Sequence, residues 1–320
     1  MNKTAIKYQN LIPLLLLAFM LYTPNSKATS YNGFDVSNSS IPTNEIHRGG
    51  PPRDGIPAID KPQFLPAEKT KYLKASDRVL GLSRNNISKV YPISIMNWHE
   101  IVNDELGDEK IVVTFCPLCG TGVAFSASAG GKTLNFGVSG LLYNSDVLLY
   151  DRETESLWSQ LLTRAISGPL LNTSLTLVAL EHTTWADWRR RHPNTLVLST
   201  NTGYSRDYTR DPYAGYEDSH GIYFPVSHRD RRFHPKERVL GVEINGVFKA
   251  YPFAELSQTN GTIHDELNNK KIIIHYDSKS HSARLTSTDG KAIPAITAYW
   301  FAWITFHPDT LVFNALKNSK

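Results

Sequence analysis

The chain has 320 residues, with 34 Lys and Arg against 30 Asp and Glu and a pI near 8.9. No Lys/Arg-rich stripe runs along it, and Arg229 to Arg232 form only a local patch in what reads as a solvated loop, so nucleic-acid binding is not expected. Two cysteines are too few to staple a chain of this size; an apolar core must carry stability, and the thiols are free for another purpose.

Lys3 and Lys7, the apolar run Leu11 to Tyr22 and the small-x-small triplet Ser26-Lys27-Ala28 predict a secretory signal peptide over residues 1–28. The expected destination is the periplasm or the medium, with a retained N-terminal anchor as the alternative. No later run approaches about 18 apolar residues, so no transmembrane helix is expected in the mature chain. Removing Lys3, Lys7 and Lys27 leaves 31 basic residues against 30 acidic ones, a net charge of +1 that identifies no partner.

Residues 29–75, rich in Asn, Ser, Pro and Gly, predict an ordered but irregular arm, with His47 and Arg48 as exposed loop groups. From residue 76 an internal repeat emerges. Arg78-Val79-Leu80-Gly81 returns as Arg238-Val239-Leu240-Gly241, and Lys89-Val90-Tyr91-Pro92 as Lys249-Ala250-Tyr251-Pro252, both at a spacing of 160. Asn103-Asp104-Glu105-Leu106 and Lys110-Ile111-Val112-Val113 return at 161, and Trp188, His192-Pro193 and Thr195-Leu196-Val197 return at 115 as Trp303, His307-Pro308 and Thr310-Leu311-Val312. A period above 100 residues predicts a duplicated domain, not a solenoid. The first repeat spans 76–200, a connecting loop 201–237, a shorter and degenerate second repeat 238–315, and a tail 316–320.

Within each copy the pattern predicts strands (Val79 to Leu82, Ile87 to Tyr91), a helical turn after Pro92, and a further strand from Lys110. Thr184 caps a short helix stopped by Pro193, and Thr195 to Ser199 is a last strand. Strands outnumber helices, so the expected class is α+β, mostly β, built as two related halves.

The first half is organised around Ile111 to Ser126, which reads as strand, thiol-bearing turn, strand, and holds Cys116 and Cys119. The extra segment that follows predicts a hairpin, turned at Asn144-Ser145-Asp146, with Tyr143, Asn144, Asp146, Asp151, Arg152 and Trp158 as residues to wall a site beside the cysteines. The stretches VTFCPLCGTGVAF, FGVSGLLYNSDVLLYDRETESLWSQ and TTWADWRRRHPNTLVLS, with PYAGY, YFPV and ERVLGV, resemble a bacterial exported family known as domain of unknown function 3179 over nearly all of residues 75–315. That resemblance implies no particular activity.

Cys-Pro-Leu-Cys-Gly has the spacing of a metal-binding knuckle, in which amides of the turn aim at sulfur. A second such turn is missing, since Asp277 to His281 stands at the matching place of the second half. A metal site must therefore recruit other ligands; Met96 and His99 are candidates, with His275 and His281 if the halves bring their turns together. Thiolates with such ligands suit copper or zinc. Two other readings stay open: thiol–disulfide exchange, and a structural disulfide in a non-catalytic binding module. His192 and His307 recur in both halves before Pro and read as helix-end groups. No Gly-x-Ser-x-Gly elbow marks a serine hydrolase.

Overall fold

The computed structural model describes residue 1 and residues 30–316; the expected leader over 1–28 thus lies, beyond its first residue, outside the described residues. Among the described residues the fold is mostly β, with several sheets and four short α-helices. No helix among the described residues is long and apolar enough to cross a membrane.

The arm is less irregular than its composition predicts. Its strand β1 (Ile46–Arg48) pairs with the inserted segment, its strand β2 (Phe64–Pro66) lies along the end of the first half, and Ile59 bridges to Val102. Edge pairing satisfies the backbone polar groups that a coil laid over the surface would leave to water.

The first half starts with a hairpin, β3 (Arg78–Arg84) and β4 (Ile87–Pro92), joined by Asn85 and Asn86, both with positive φ. Two left-handed residues make the hairpin turn whose twist matches the strands, and Asn tolerates that conformation. Pro92 then caps α1 (Ile93–His99), which ends on Glu100 at φ 57°. A meander follows of β5 (Ile101–Leu106), β6 (Glu109–Cys116) and β7 (Thr121–Ser126), with the thiol turn at the last corner.

The inserted segment is more than a hairpin. Strands β8 (Phe136–Tyr143), β9 (Asp146–Asp151), β10 (Leu157–Ser159) and β11 (Arg164–Ser167) form a five-stranded sheet completed by β1 of the arm. A short β12 (Leu177–Val178) pairs with β7, and β13 (Glu181–Thr184) pairs with β3. Helix α2 (Trp185–Arg191) begins at Thr184, whose hydroxyl accepts the amide of Asp187, and β14 (Leu196–Leu198) runs parallel to β4.

The second half repeats this geometry with β15 (Arg238–Ile244), β16 (Val247–Pro252), α3 (Phe253–Leu256), the meander β17 (Thr262–Leu267), β18 (Lys270–Asp277) and β19 (Ser282–Ser287), then β20 (Ile296–Tyr299), α4 (Trp300–Phe306) and β21 (Leu311–Val312). Val79 faces Pro92 as Val239 faces Pro252. Lys89 and Tyr91 both bind Asp104, as Lys249 and Tyr251 bind Asp265. Trp188 lies flat on Gly81 and donates to Thr195, while Trp303 lies on Gly241 and donates to Thr310; a Cβ on either glycine would overlap the indole.

The halves share hydrogen bonds rather than merely touching. Thr297 of β20 pairs with Gly122 of β7, so one sheet runs β21-β16-β15-β20-β7-β6-β5 through both halves. In the other direction, Arg78 of β3 donates to Ser280 O at 2.6 Å, at the end of the β18–β19 turn. The thiol turn therefore sits at the junction, packed in one core with Trp158, Val239, Tyr299 and Trp303.

Candidate metal centre

Cys116 is the last residue of β6 and Cys119 lies in the turn before β7; both side chains are buried. The turn is fixed by its backbone: Cys119 O accepts from Thr121 Oγ1 at 3.0 Å and from Tyr299 N at 2.8 Å. Gly120 at φ 59° closes it, against a Tyr299 ring that a Cβ would meet at 2.6 Å. Below it, Gln160 donates to Thr114, which donates to Val123 O. In a thiolate knuckle the amides aim at sulfur, but among the described residues no backbone N–H donates to either sulfur; the thiols themselves donate to Ser145 O, Cys119 at 3.3 Å and Cys116 at 3.9 Å.

That carbonyl belongs to the β8–β9 turn, where Asn144 and Ser145 both have positive φ, and Asp146 opens β9 directly above the cysteines. One carboxylate oxygen of Asp146 and the two Sγ atoms lie within 4.8 Å of one another, and all three residues are buried. Asp146 Oδ2 accepts from Leu161 N at 3.0 Å, while Oδ1 has no hydrogen-bond partner. Together these three side chains can hold a metal ion.

Burial works against ionisation of the acidic groups around the turn. Burial raises the Asp146 carboxyl to about 7. Burial, with Cys116 and Asp146 close by, raises the Cys119 thiol well above its usual range. Glu100, held in the left-handed conformation next to the start of β5, is raised to about 8 by burial and by the Asp146 charge. Each of these groups is costly to ionise alone in a low dielectric, and a positive ion held by Cys116, Cys119 and Asp146 would offset that cost for its ligands.

The loop 201–237 covers the site and is no mere connector. Burial raises the hydroxyls of Tyr213 and Tyr216, and the acidic groups around the turn raise them further: Glu100 and Cys116 for Tyr213, Cys119 and Cys116 for Tyr216. Tyr216 is buried and its hydroxyl has no partner. The loop is tied to the roof by Ser227 N, which donates to Asn144 Oδ1 at 2.8 Å.

Other residues singled out in the sequence lie elsewhere. His99 uses both ring nitrogens, on Pro57 O at 2.8 Å and Tyr208 OH at 2.7 Å, and Met96 is packed in a separate core cluster with Leu80 and Tyr91. Neither joins the cysteines, because α1 packs on the far side of β6 from the roof. His275 bonds Thr286 and His281 bonds Tyr276, both within the second half. His192 and His307 cap α2 and α4; His192 stacks on Trp188, and His307 lies tilted against Trp303.

Of the hairpin residues, Asp146 reaches the thiols and Asn144 shapes the turn above them. Tyr143 packs edge-on against Phe306, Asp151 accepts from the Trp158 indole, and Arg152 reaches outward to Asp54 and Asp60 of the arm. Glu100, Tyr213 and Tyr216 were not singled out by sequence reasoning. The five tyrosines of residues 201–237 were the available signal, but nothing local says which of them turn inward.

No curated protein and no solved structure matches the chain. A family model described as "Protein of unknown function (DUF3179)" matches residues 53–292, a span that includes the thiol turn, its hairpin roof and the covering loop. The chain belongs to that family.

Proposed function

We propose that this is an exported protein that holds one soft or borderline metal ion, zinc or copper, between Cys116, Cys119 and Asp146. One observation carries the reading: two thiols and a carboxylate oxygen, all of buried residues, converge within 4.8 Å of one another. A tetrahedral zinc with bonds of about 2.0–2.3 Å needs its ligand atoms about 3.5–3.8 Å apart, so a small contraction suffices. The carboxylate favours zinc, since copper(I) prefers thiolate and thioether donors. The leader-like segment of residues 1–28 supports export, and the matched registers and Trp–Gly contacts of the two halves support an origin by duplication.

Thiol–disulfide exchange is the second reading, supported by the adjacency of two free thiols. The first reading is preferred because an exchanger needs a thiol its substrate can reach, whereas both thiols here are buried and a carboxylate oxygen stands beside them. The deciding experiment is elemental analysis with thiol titration on mature protein purified without added metal or reductant. Near one equivalent of zinc or copper, lost in Cys116→Ser, is expected. Metal-free protein that takes up neither ion and is oxidised reversibly by a disulfide substrate would overturn the metal reading in favour of exchange.

A further inference from the structure

Between the inserted segment and the second half lies a groove larger than the one at the matching place of the first half. A cavity of about 720 Å3 opens between the inserted sheet and β15–α4. One wall is Leu161, Leu175 and Leu177; the other is Phe248, Trp303 and Phe306. His307 is stacked on Phe248 with ring centroids 4.0 Å apart and lies tilted against Trp303 at 4.3 Å. The matching place in the first half, over Gly81, Trp188 and His192, encloses only about 240 Å3.

The difference traces to particular residues. At the spacings that align the two halves, Ser88, Glu181 and Arg191 correspond to Phe248, Ile296 and Phe306. In the first half these form a polar network: Ser88 Oγ meets His192 Nδ1 at 3.3 Å, and Arg191 pairs with Glu181 and Asp187. In the second half all three are apolar and line an open cleft or its edge. Ile296 is buried, but Phe248 and Phe306 keep part of their apolar surface open to the cleft, and that part gains the isolated fold nothing because it is left unburied. The cost is recovered when a ligand covers it.

The rim identifies the charge of that ligand. Arg164 and Lys270 are exposed residues of the cavity lining, and neither side chain has an ion pair or hydrogen bond to another described residue. Glu243, the acidic group beside them, is turned into its own hairpin, where it accepts the Gly246 amide.

We propose that this groove binds a small amphipathic anion: a planar apolar ring system against Phe248, Phe306 and His307, with its carboxylate or sulfonate group between Arg164 and Lys270. Burial keeps His307 neutral, so that it presents a ring face rather than a third cation. The site is separate from the thiol centre, although Leu161, which lines it, is also the residue whose amide holds Asp146.

The test uses the whole mature protein and two probes of one shape, 1-anilinonaphthalene-8-sulfonate and its uncharged analogue N-phenyl-1-naphthylamine. The sulfonate should bind at one site per chain, at least about tenfold tighter than the neutral probe, the factor expected from one charge-assisted hydrogen bond. The Arg164→Glu/Lys270→Glu double variant, altered only at exposed side chains, should melt as the native protein does and lose that advantage. Ala295→Trp, which fills the cavity, should weaken both probes. Equal affinity for the two probes, full sulfonate affinity in the charge-reversed variant, or the absence of saturable binding to the folded native protein would each overturn the proposal.

Discussion

Asp146 shows how one side chain changes what a Cys-x-x-Cys turn can be. Two buried thiols alone offer a disulfide or a weak two-ligand site; a carboxylate above them, with one oxygen unpartnered, makes a three-ligand cup. Asp146→Asn keeps the shape and an acceptor for Leu161 N but removes the charge. We expect it to lose bound metal while its metal-free form melts no lower than the metal-free native protein, checked by elemental analysis and by thermal melts with chelator. His307 gives a second test at this scale. Burial lowers its pKa from 6.5 to about 4, so the unfolded chain takes up a proton first as pH falls. Its contribution is a loss of stability between pH 6.5 and 4, on the order of 3 kcal/mol. Denaturant titrations across that window should show His307→Gln losing less stability than the native protein.

At the scale of elements, the β8–β9 hairpin does most to build the site. Its turn needs two left-handed residues, and Asn144 supplies one of them while also accepting Ser227 N from the covering loop. Asn144→Ala removes both features. It should cost about 1–2 kcal/mol in urea unfolding and make the thiols react faster with a small disulfide reagent, because roof and cover separate. The strands Arg78–Arg84 and Ile87–Pro92 and helices Ile93–His99 and Trp185–Arg191 lie within a few residues of where alternation, Pro92 and the Thr184 cap place them. Those signals are local: period-two hydrophobicity, a proline, a capping hydroxyl. The five-stranded inserted sheet was legible only as one hairpin. Its outer partner, Ile46–Arg48, comes from the arm, and no local pattern announces an edge pairing so far along the chain.

At the scale of the molecule, the two halves are joined through the site itself. Cys119 O accepts Tyr299 N, Thr297 pairs with Gly122, and Arg78 reaches Ser280 O. Pulling the halves apart would expose two sheet edges and leave these groups unpaired in a buried seam, which is costly. We therefore expect a single cooperative unfolding transition, with calorimetric and van't Hoff enthalpies equal. Two separated transitions would show that the halves are energetically independent and that the thiol turn lies on a loose interface.

The sequence by itself determined the opening hairpin and short helices of the halves, the repeated motifs and the position of the thiol turn, because each is written in residues close together along the chain. It placed a hairpin after the cysteines for the same reason, and named Asp146 among that hairpin's residues without assigning it to the sulfurs. Which groups meet the thiols was decided only by tertiary structure. His99 and Met96 are nearer in sequence than Asp146, yet α1 turns them into other contacts, while the β8–β9 turn brings Asp146 back over the cysteines. The inward tyrosines of the covering loop and the apolar groove beside α4 depend likewise on segments that meet only when the sheets close, since side-chain proximity across a fold is set by packing and not by spacing.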